Sequence, residues 1–169
     1  PSVGVNTNTF TISAWVKPNG IQADYSGIVF NDGDKGGFNF KNGDNSLAYH
    51  WPSGSWSWNS GLQAPADEWS HVAMVASPTS ITVYLNGVAS THTTTIDPIN
   101  ISTMKIGSYQ GWGSRNYDGE IDEVAIWNRS LSIDEIRELM HLTKESSVEN
   151  DADLLAYYQF NSESATTIY

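Results

Sequence analysis

Residues 119–140, GEIDEVAIWNRSLSIDEIRELM, change their periodicity half-way, and that change decides the fold class. Ile121, Val124, Ile126 and Trp127 are β-branched or aromatic, side chains that suit a pleated, half-buried surface, so the first half reads as one long inner strand. In the second half Leu131, Ile136, Leu139 and Met140 recur at helical spacing. Ser132 stands three residues before Glu135, the spacing of a capping box, and marks where that helix starts. A strand feeding one short helix near 132–141, in a chain whose other segments read as strands, predicts an all-β domain with a single helix.

Working outward, Phe10, Ile12, Ala14 and Val16 alternate with Thr11, Ser13, Trp15 and Lys17, a strand with one face in the core that stops at Pro18-Asn19-Gly20. Residues 69–76 and 81–88 are the clearest strands, joined by Ser77-Pro78-Thr79-Ser80, and Asn86-Gly87 supplies a second tight reversal. Shorter strands are expected at 27–30, 37–40, 47–51 and 104–109. Residues 56–58 read either as a small edge strand or as part of a long loop. The Thr-rich 89–100 reads as an exposed connection and 143–153 as a surface linker, while LLAYYQF at 154–160 returns to a sheet. Many short strands separated by turns are the pattern of a sandwich or jelly roll.

Four segments in order, FTISAWVKPNG at 10–20, WSHVAMV at 69–75, ITVYLNGV at 81–88 and GEIDEVAIWNRSLSIDEI at 119–136, resemble the laminin-G-like, concanavalin-A-like jelly-roll domains. These are related in shape to pentraxins and to laminarinase-type glycoside hydrolases. The resemblance covers residues 8–142 and implies a two-sheet antiparallel jelly-roll sandwich, with 1–169 as a single domain and 152–169 as its returning strand and tail. It also implies a frequent bound calcium and attachment to secreted carbohydrate-active enzymes or adhesins, without implying a catalyst. Such domains usually have a strand before the FTISAW segment, and here only nine residues precede Phe10. Either LLAYYQF takes that place or the chain is an excised piece.

A length of 169 residues suits one domain with a sizeable core. Aromatics are 12% of the chain, seven of them Trp, against 16% charged residues, which favours a packed β domain over disorder. The formal charge is −11, from 19 acidic and 8 basic residues, and no Lys/Arg cluster stands along the sequence. Nucleic acid and anionic membranes are therefore poor partners, and neutral sugars or cations better ones. The absence of cysteine excludes disulfides, Cys-based zinc sites and thiol catalysis while leaving the compartment open. No apolar run approaches the ~20 residues of a membrane span, so membrane insertion is not expected. PSVGVNTNTF lacks the basic and apolar regions of a signal peptide, so a secreted or cell-surface protein would have lost its leader or carry it upstream.

Glu120-Ile121-Asp122 invites an enzymatic reading. Laminarinase-type hydrolases place their acids as Glu-x-Asp-x-Glu or Glu-x-Asp-x-x-Glu on one strand, because a retaining mechanism needs carboxyls only ~5–5.5 Å apart. Here Val124 and Ala125 occupy the positions of the second glutamate, and alternation points Glu123 away from Glu120. No catalytic residue is assigned. Through the resemblance, Asp122 corresponds to a structural calcium ligand that acts with backbone carbonyls, and an oxygen shell suits that cation. The alternative is that Asp122 accepts hydrogen bonds from Arg115 or a turn. Asp32-Gly33-Asp34 is a second acidic turn. His50, His71, His92 and His141 have no metal-ligand spacing and read as surface or strand histidines.

Sugar rings present apolar C–H faces that stack on flat side chains while polar neighbours orient the hydroxyls. Trp51, Trp56 and Trp58 lie within eight residues rich in Ser, Gly and Asn, and Tyr109 and Trp112 share a loop with Arg115 and Asn116. These seven are the candidate carbohydrate contacts, with core packing as the alternative for each Trp, whereas Trp15, Trp69 and Trp127 are assigned to packing. The leading expectation is a noncatalytic, lectin-like module that binds a polysaccharide or glycan, together with other domains of a parent protein. The rivals are an adhesion domain recognising protein and, less favoured, a hydrolase or lyase.

Overall fold

The alternation at Phe10, Ile12, Ala14 and Val16 is realised in a nine-residue strand whose four apolar side chains are fully buried. The computed structural model describes residues 5–31, 33–52, 55–101, 103–109, 113–141 and 151–160, with backbone alone at 55–57. In chain order the strands are β1 Asn6–Thr7, β2 Phe10–Pro18, β3 Gly27–Asn31, β4 Gly36–Lys41, β5 Ser46–Trp51, β6 Ser55–Gln63 and β7 Ser70–Ser77. They continue with β8 Ser80–Leu85, β9 Val88–Thr93, β10 Ile99–Asn100, β11 Met104–Ile106, β12 Gly119–Trp127 and β13 Leu154–Tyr158. Helix α1 spans Ile133–Leu139 between β12 and β13.

Two antiparallel sheets stack as a jelly-roll sandwich, one of five strands in the order β11-β3-β4-β5-β6 and one of six in the order β13-β12-β2-β7-β8-β9. The short β1-β10 pair stands apart from both. Between the sheets lies the main core, with Phe10, Phe38, Phe40, Tyr49, Trp51 and Met74 among its largest members. A second apolar cluster lies on the outer face of the six-stranded sheet, where Ile136 of α1 meets Ala73, Val75, Tyr84 and Trp127.

Helix α1 begins as its sequence predicts: Ser132 Oγ accepts from Glu135 N at 3.3 Å, and Glu135 Oε2 accepts from Ser132 N at 2.7 Å. LLAYYQF does return, as β13 on β12, so it lies at the sheet edge and does not flank β2. Residues 88–93 are strand β9 and not a loose connection. The turn at Asn86 and Gly87 has positive φ at both residues, 47° and 76°, the backbone of a tight hairpin, and β-branched threonines pair across it at Thr82–Thr91. Residues 56–58 belong to a nine-residue edge strand, β6. Trp127 is buried as expected, but Trp69 is 42% exposed and is not core.

Candidate functional site

Period two divides the five-stranded sheet into two faces. Phe38, Phe40, Leu47, Tyr49 and Trp51 point into the core, which leaves Phe30, Gly37, Asn39, Lys41, Ala48 and His50 on the outer face. Cross-strand register lines up Lys105, Phe30, Gly37 and His50 in one row. The chain between β11 and β12 closes down on this face at Gly27, where a Cβ would lie 2.3 Å from the Ser108 carbonyl oxygen. Only glycine allows that approach.

Tyr109 is laid down by this closure. Its ring centroid is 4.0 Å from that of Phe30 and 5.6 Å from the His50 ring, and its hydroxyl hydrogen-bonds His50 Nδ1. Tyr25 comes from the β2–β3 connection and tilts against Tyr109 at 5.8 Å. The Arg115 guanidinium, on a 3-10 turn at Gly113–Arg115, lies 4.8 Å from the Tyr25 ring centre and 4.9 Å from that of Tyr109. Lys41 Nζ lies 5.6 Å from the Tyr25 ring centre. Cations over aromatic faces in this range are attracted by the ring quadrupole.

Burial, aided by the charges of Arg115 and Lys35, pushes the His50 pKa down to about 4. Burial raises Tyr109 to about 12, so both members of the hydrogen-bonded pair are neutral near pH 7. Asn39 donates Nδ2–H to the Phe40 carbonyl at 2.8 Å, while its buried Oδ1 has no hydrogen-bond partner among the described residues.

Of the seven candidate contacts, the structure brings Tyr109, Arg115 and Asn116 together on this face. Asn116 is exposed, and its carbonyl accepts from Ser26 Oγ at 3.3 Å. Trp51 must be corrected: it has no exposed surface, stacks on Phe10 at 5.6 Å and 25°, and donates its indole N–H to the Asp97 carbonyl at 3.0 Å. A ring with both faces in the core offers nothing to a sugar. Trp58 sits apart from the cluster, half-buried against the core and parallel to His92 at 5.2 Å. For Trp56 the described part is its backbone in β6, and Trp112 lies outside the described residues.

Tyr25, His50 and Lys41 are members that the sequence reading passed over. Alternation was the available signal for two of them: in 47–51, Ala48 and His50 fall opposite Leu47, Tyr49 and Trp51, and Lys41 falls opposite Phe38 and Phe40.

The acids of β12 lie on the other sheet. Glu120 pairs with Lys17 at 2.8 Å on the surface. Asp122 Oδ1 accepts from Glu123 N at 2.8 Å and from Phe160 N at 3.1 Å, so this carboxylate latches a bulge and the end of β13. That is the turn alternative, with backbone donors in place of Arg115. The same bulge, with φ of 50° at Glu123, brings Glu123 to the face that Asp122 occupies, against simple alternation. Glu123 is held there by the Tyr157 hydroxyl. It lines, with Ser13, Trp15 and His71, a cavity of about 20 Å³, room for a single water.

A calcium shell needs six to eight oxygens, whereas Asp122 Oδ1 is already taken up by two backbone N–H groups. Among the described residues, no three His, Asp or Glu side chains gather as a metal site. Asp34 spends its carboxylate on Asn100 N at 2.5 Å, while Asp32 lies outside the described residues.

The family model described as the concanavalin A-like lectin/glucanases superfamily matches residues 1–137. No curated protein matches the chain by sequence. Among solved structures, a provisionally named carbohydrate binding protein from Bacteroides ovatus is similar at TM-score 0.81 and 17% identity, covering 98% of this chain. The match takes in 49% of that protein, so the chain spans about half its length. Domain 4 of the GH43 extracellular arabinanase AbnA from Geobacillus stearothermophilus, in complex with arabinotriose, is similar at TM-score 0.63 and 21% identity, covering 80% of this chain and 68% of that one. A heptameric SAP-like pentraxin from Limulus polyphemus is similar at TM-score 0.56 and 18% identity, covering 79% and 70%. At these identities the likeness is one of fold.

Proposed function

We propose that this chain, which belongs to the concanavalin A-like lectin/glucanases superfamily, is a noncatalytic glycan-binding module that works through the outer face of its five-stranded sheet. The observation that carries this reading is the arrangement of Tyr25, Tyr109 and Arg115. The half-buried Tyr25 ring and the Arg115 guanidinium are gathered over the buried Tyr109 on the side of the sheet that faces away from the core, so Tyr25 is the ring open to a ligand and Tyr109 is its floor. Aromatic faces suit sugar C–H groups, and the planar N–H donors beside them suit hydroxyls and ring substituents. Two structural neighbours whose names involve carbohydrate, one of them described with arabinotriose, support the ligand class.

The absence of turnover is part of the proposal. Glu120 is engaged by Lys17, Asp122 by backbone N–H groups and Glu123 by Tyr157, and the cavity beside Glu123 is far smaller than a sugar ring. A calcium that stiffens the fold would have to draw on Asp122 beside the two backbone N–H groups it already accepts from, with backbone carbonyls and water completing the shell. A secreted or cell-surface location is supported by the extracellular arabinanase among the neighbours. Among the described residues no helix is long and apolar enough to cross a membrane.

A glycan array with and without chelator tests the reading, alongside a turnover assay on β-glucans and uronic-acid polymers. Binding without turnover is expected. Failure to bind any glycan, or release of product, overturns it.

A further inference from the structure

We infer that two copies of this chain pair edge to edge through β9, extending the six-stranded sheet across a two-fold axis. Strand β9, Val88–Thr93, is the outermost strand of that sheet. The hairpin at Asn86 and Gly87 fixes which of its backbone groups face β8. Leu85 and Val88 close the two-residue turn as a hydrogen-bonded pair, so Ser90 and His92 also face β8. The same phase continues past the strand, where Thr94 N donates to the Thr79 carbonyl at 3.0 Å. Ala89, Thr91 and Thr93 therefore turn their N–H and C=O groups outward, and all three residues are exposed.

An open edge of this kind is ordinarily blunted by charge, proline or a bulge. The other three edges carry such devices. Strand β6 shifts register twice against β5, β13 shifts against β12 and follows Asp151 and Asp153, and β11 is three residues long with Lys105 at its centre. Strand β9 pairs with β8 over six residues without a shift and contains no Asp, Glu, Lys, Arg or Pro. Ser90 Oγ donates to the Ser60 carbonyl at 2.8 Å, so β6 closes the sandwich on the same side. Residues 45–66 and 69–96, which supply β5 to β9, hold no Asp, Glu, Lys or Arg in a chain with 19 acidic and 8 basic residues. Charges stand at the ends of this side: Arg137 of α1 packs at Gly87, Asp97 follows Thr93 by four residues, and Asp44 accepts from Gln63 at 3.0 Å.

The occupant this edge fits is a second copy. The outward-facing residues are spaced evenly about Thr91, so antiparallel pairing on a two-fold axis there sets Thr91 against its own counterpart and Ala89 against the counterpart of Thr93. Every outward N–H and C=O is then used. Thr82 Oγ1 and Thr91 Oγ1 hydrogen-bond at 2.9 Å, so a row of four threonines would cross the axis. The axis also brings the Arg137 end of one copy beside the Asp97 end of the other, with opposite signs. Because the axis stands perpendicular to the sheet, both five-stranded outer faces point the same way and could engage one polymer together. That consequence rests on the glycan-binding reading above; the pairing itself does not.

Sedimentation velocity of the whole chain should show a monomer–dimer equilibrium with a Kd of roughly 10–100 μM, as suits an interface at the small end of the size range. Raised salt should tighten it, because each copy carries a formal charge of −11 and screening relieves their repulsion. Thr91→Lys makes the chain less negative yet sets two cations against each other on the axis, so it should weaken dimerisation about tenfold while leaving Tm nearly unchanged. Thr91→Glu should do the same, and mixing the two variants should restore a dimer, since opposite charges then meet across the axis. A chain that stays monomeric throughout that concentration range, a dimer that Thr91→Lys leaves intact, one that dissociates as salt rises, or variants that do not associate on mixing each overturn the pairing. None of these outcomes touches the glycan reading, which the array tests separately.

Discussion

The indole of Trp51 stacks on the ring of Phe10 at 5.6 Å, and this contact ties the five-stranded sheet to the six-stranded one. Trp51→Ala removes a fully buried ring from the middle of the sandwich and leaves the Asp97 carbonyl without its indole donor. The expected loss is about 3–5 kcal/mol of stability, measured by chemical denaturation, because the space vacated refills only in part. Whatever fraction stays folded should bind glycan as the parent does. A stable variant that had lost binding would return Trp51 to the ligand site.

The misplacement of Trp51 marks where the sequence stops being legible. Alternation over 10–17 and the capping box at Ser132 are local patterns, each read within a few residues, and both are realised as strand and helix. The Ser- and Gly-rich residues after Trp51 suggest an exposed setting, whereas its burial is set by the strand before it, in phase with Leu47 and Tyr49. The tyrosine and arginine cluster was visible in half. Tyr109, Arg115 and Asn116 share one loop, but Lys41 joins them through sheet register and Tyr25 through the β2–β3 connection, and neither placement is written in any one segment. Alternation fails at Glu123 for a related reason, since a bulge breaks the period it assumes.

Tyr25 is half-buried and contributes a ring to the outer face without entering the main core. Tyr25→Ala should weaken glycan binding roughly tenfold, since both its sugar-facing surface and its hold on Arg115 go. Its effect on Tm should be a few degrees at most, about 1 kcal/mol in a domain of this size. Titration calorimetry and thermal melts on the same sample check the two expectations. Unchanged affinity would move the site away from this cluster.

Asp122 separates two roles by one substitution. Asn at this position keeps a side-chain oxygen that can accept from Glu123 N and Phe160 N, but it lacks the negative charge that a calcium shell draws on. If calcium stiffens the fold here, chelator lowers the Tm of the parent, and Asp122→Asn starts low and responds no further. A parent whose melting curve ignores chelator removes calcium from the reading.

Acid should act on stability through His71. It is buried with Nε2 2.9 Å from Ser13 Oγ and Nδ1 without a hydrogen-bond partner among the described residues, and burial lowers its pKa from 6.5 to about 4. Between those two values the unfolded chain takes up a proton that the folded chain refuses, so this contribution to stability is full above 6.5 and declines as pH falls towards 4. The gap of two to three pKa units corresponds to about 3 kcal/mol. His71→Gln has no proton to take up in either state. The stability difference between parent and variant should therefore shift against the parent as pH drops from 6.5 to 4, in urea titrations across that range. A difference that stays constant with pH would show that His71 titrates alike in the folded and unfolded chain, and that its ring is far better hydrated than its 1% exposure indicates.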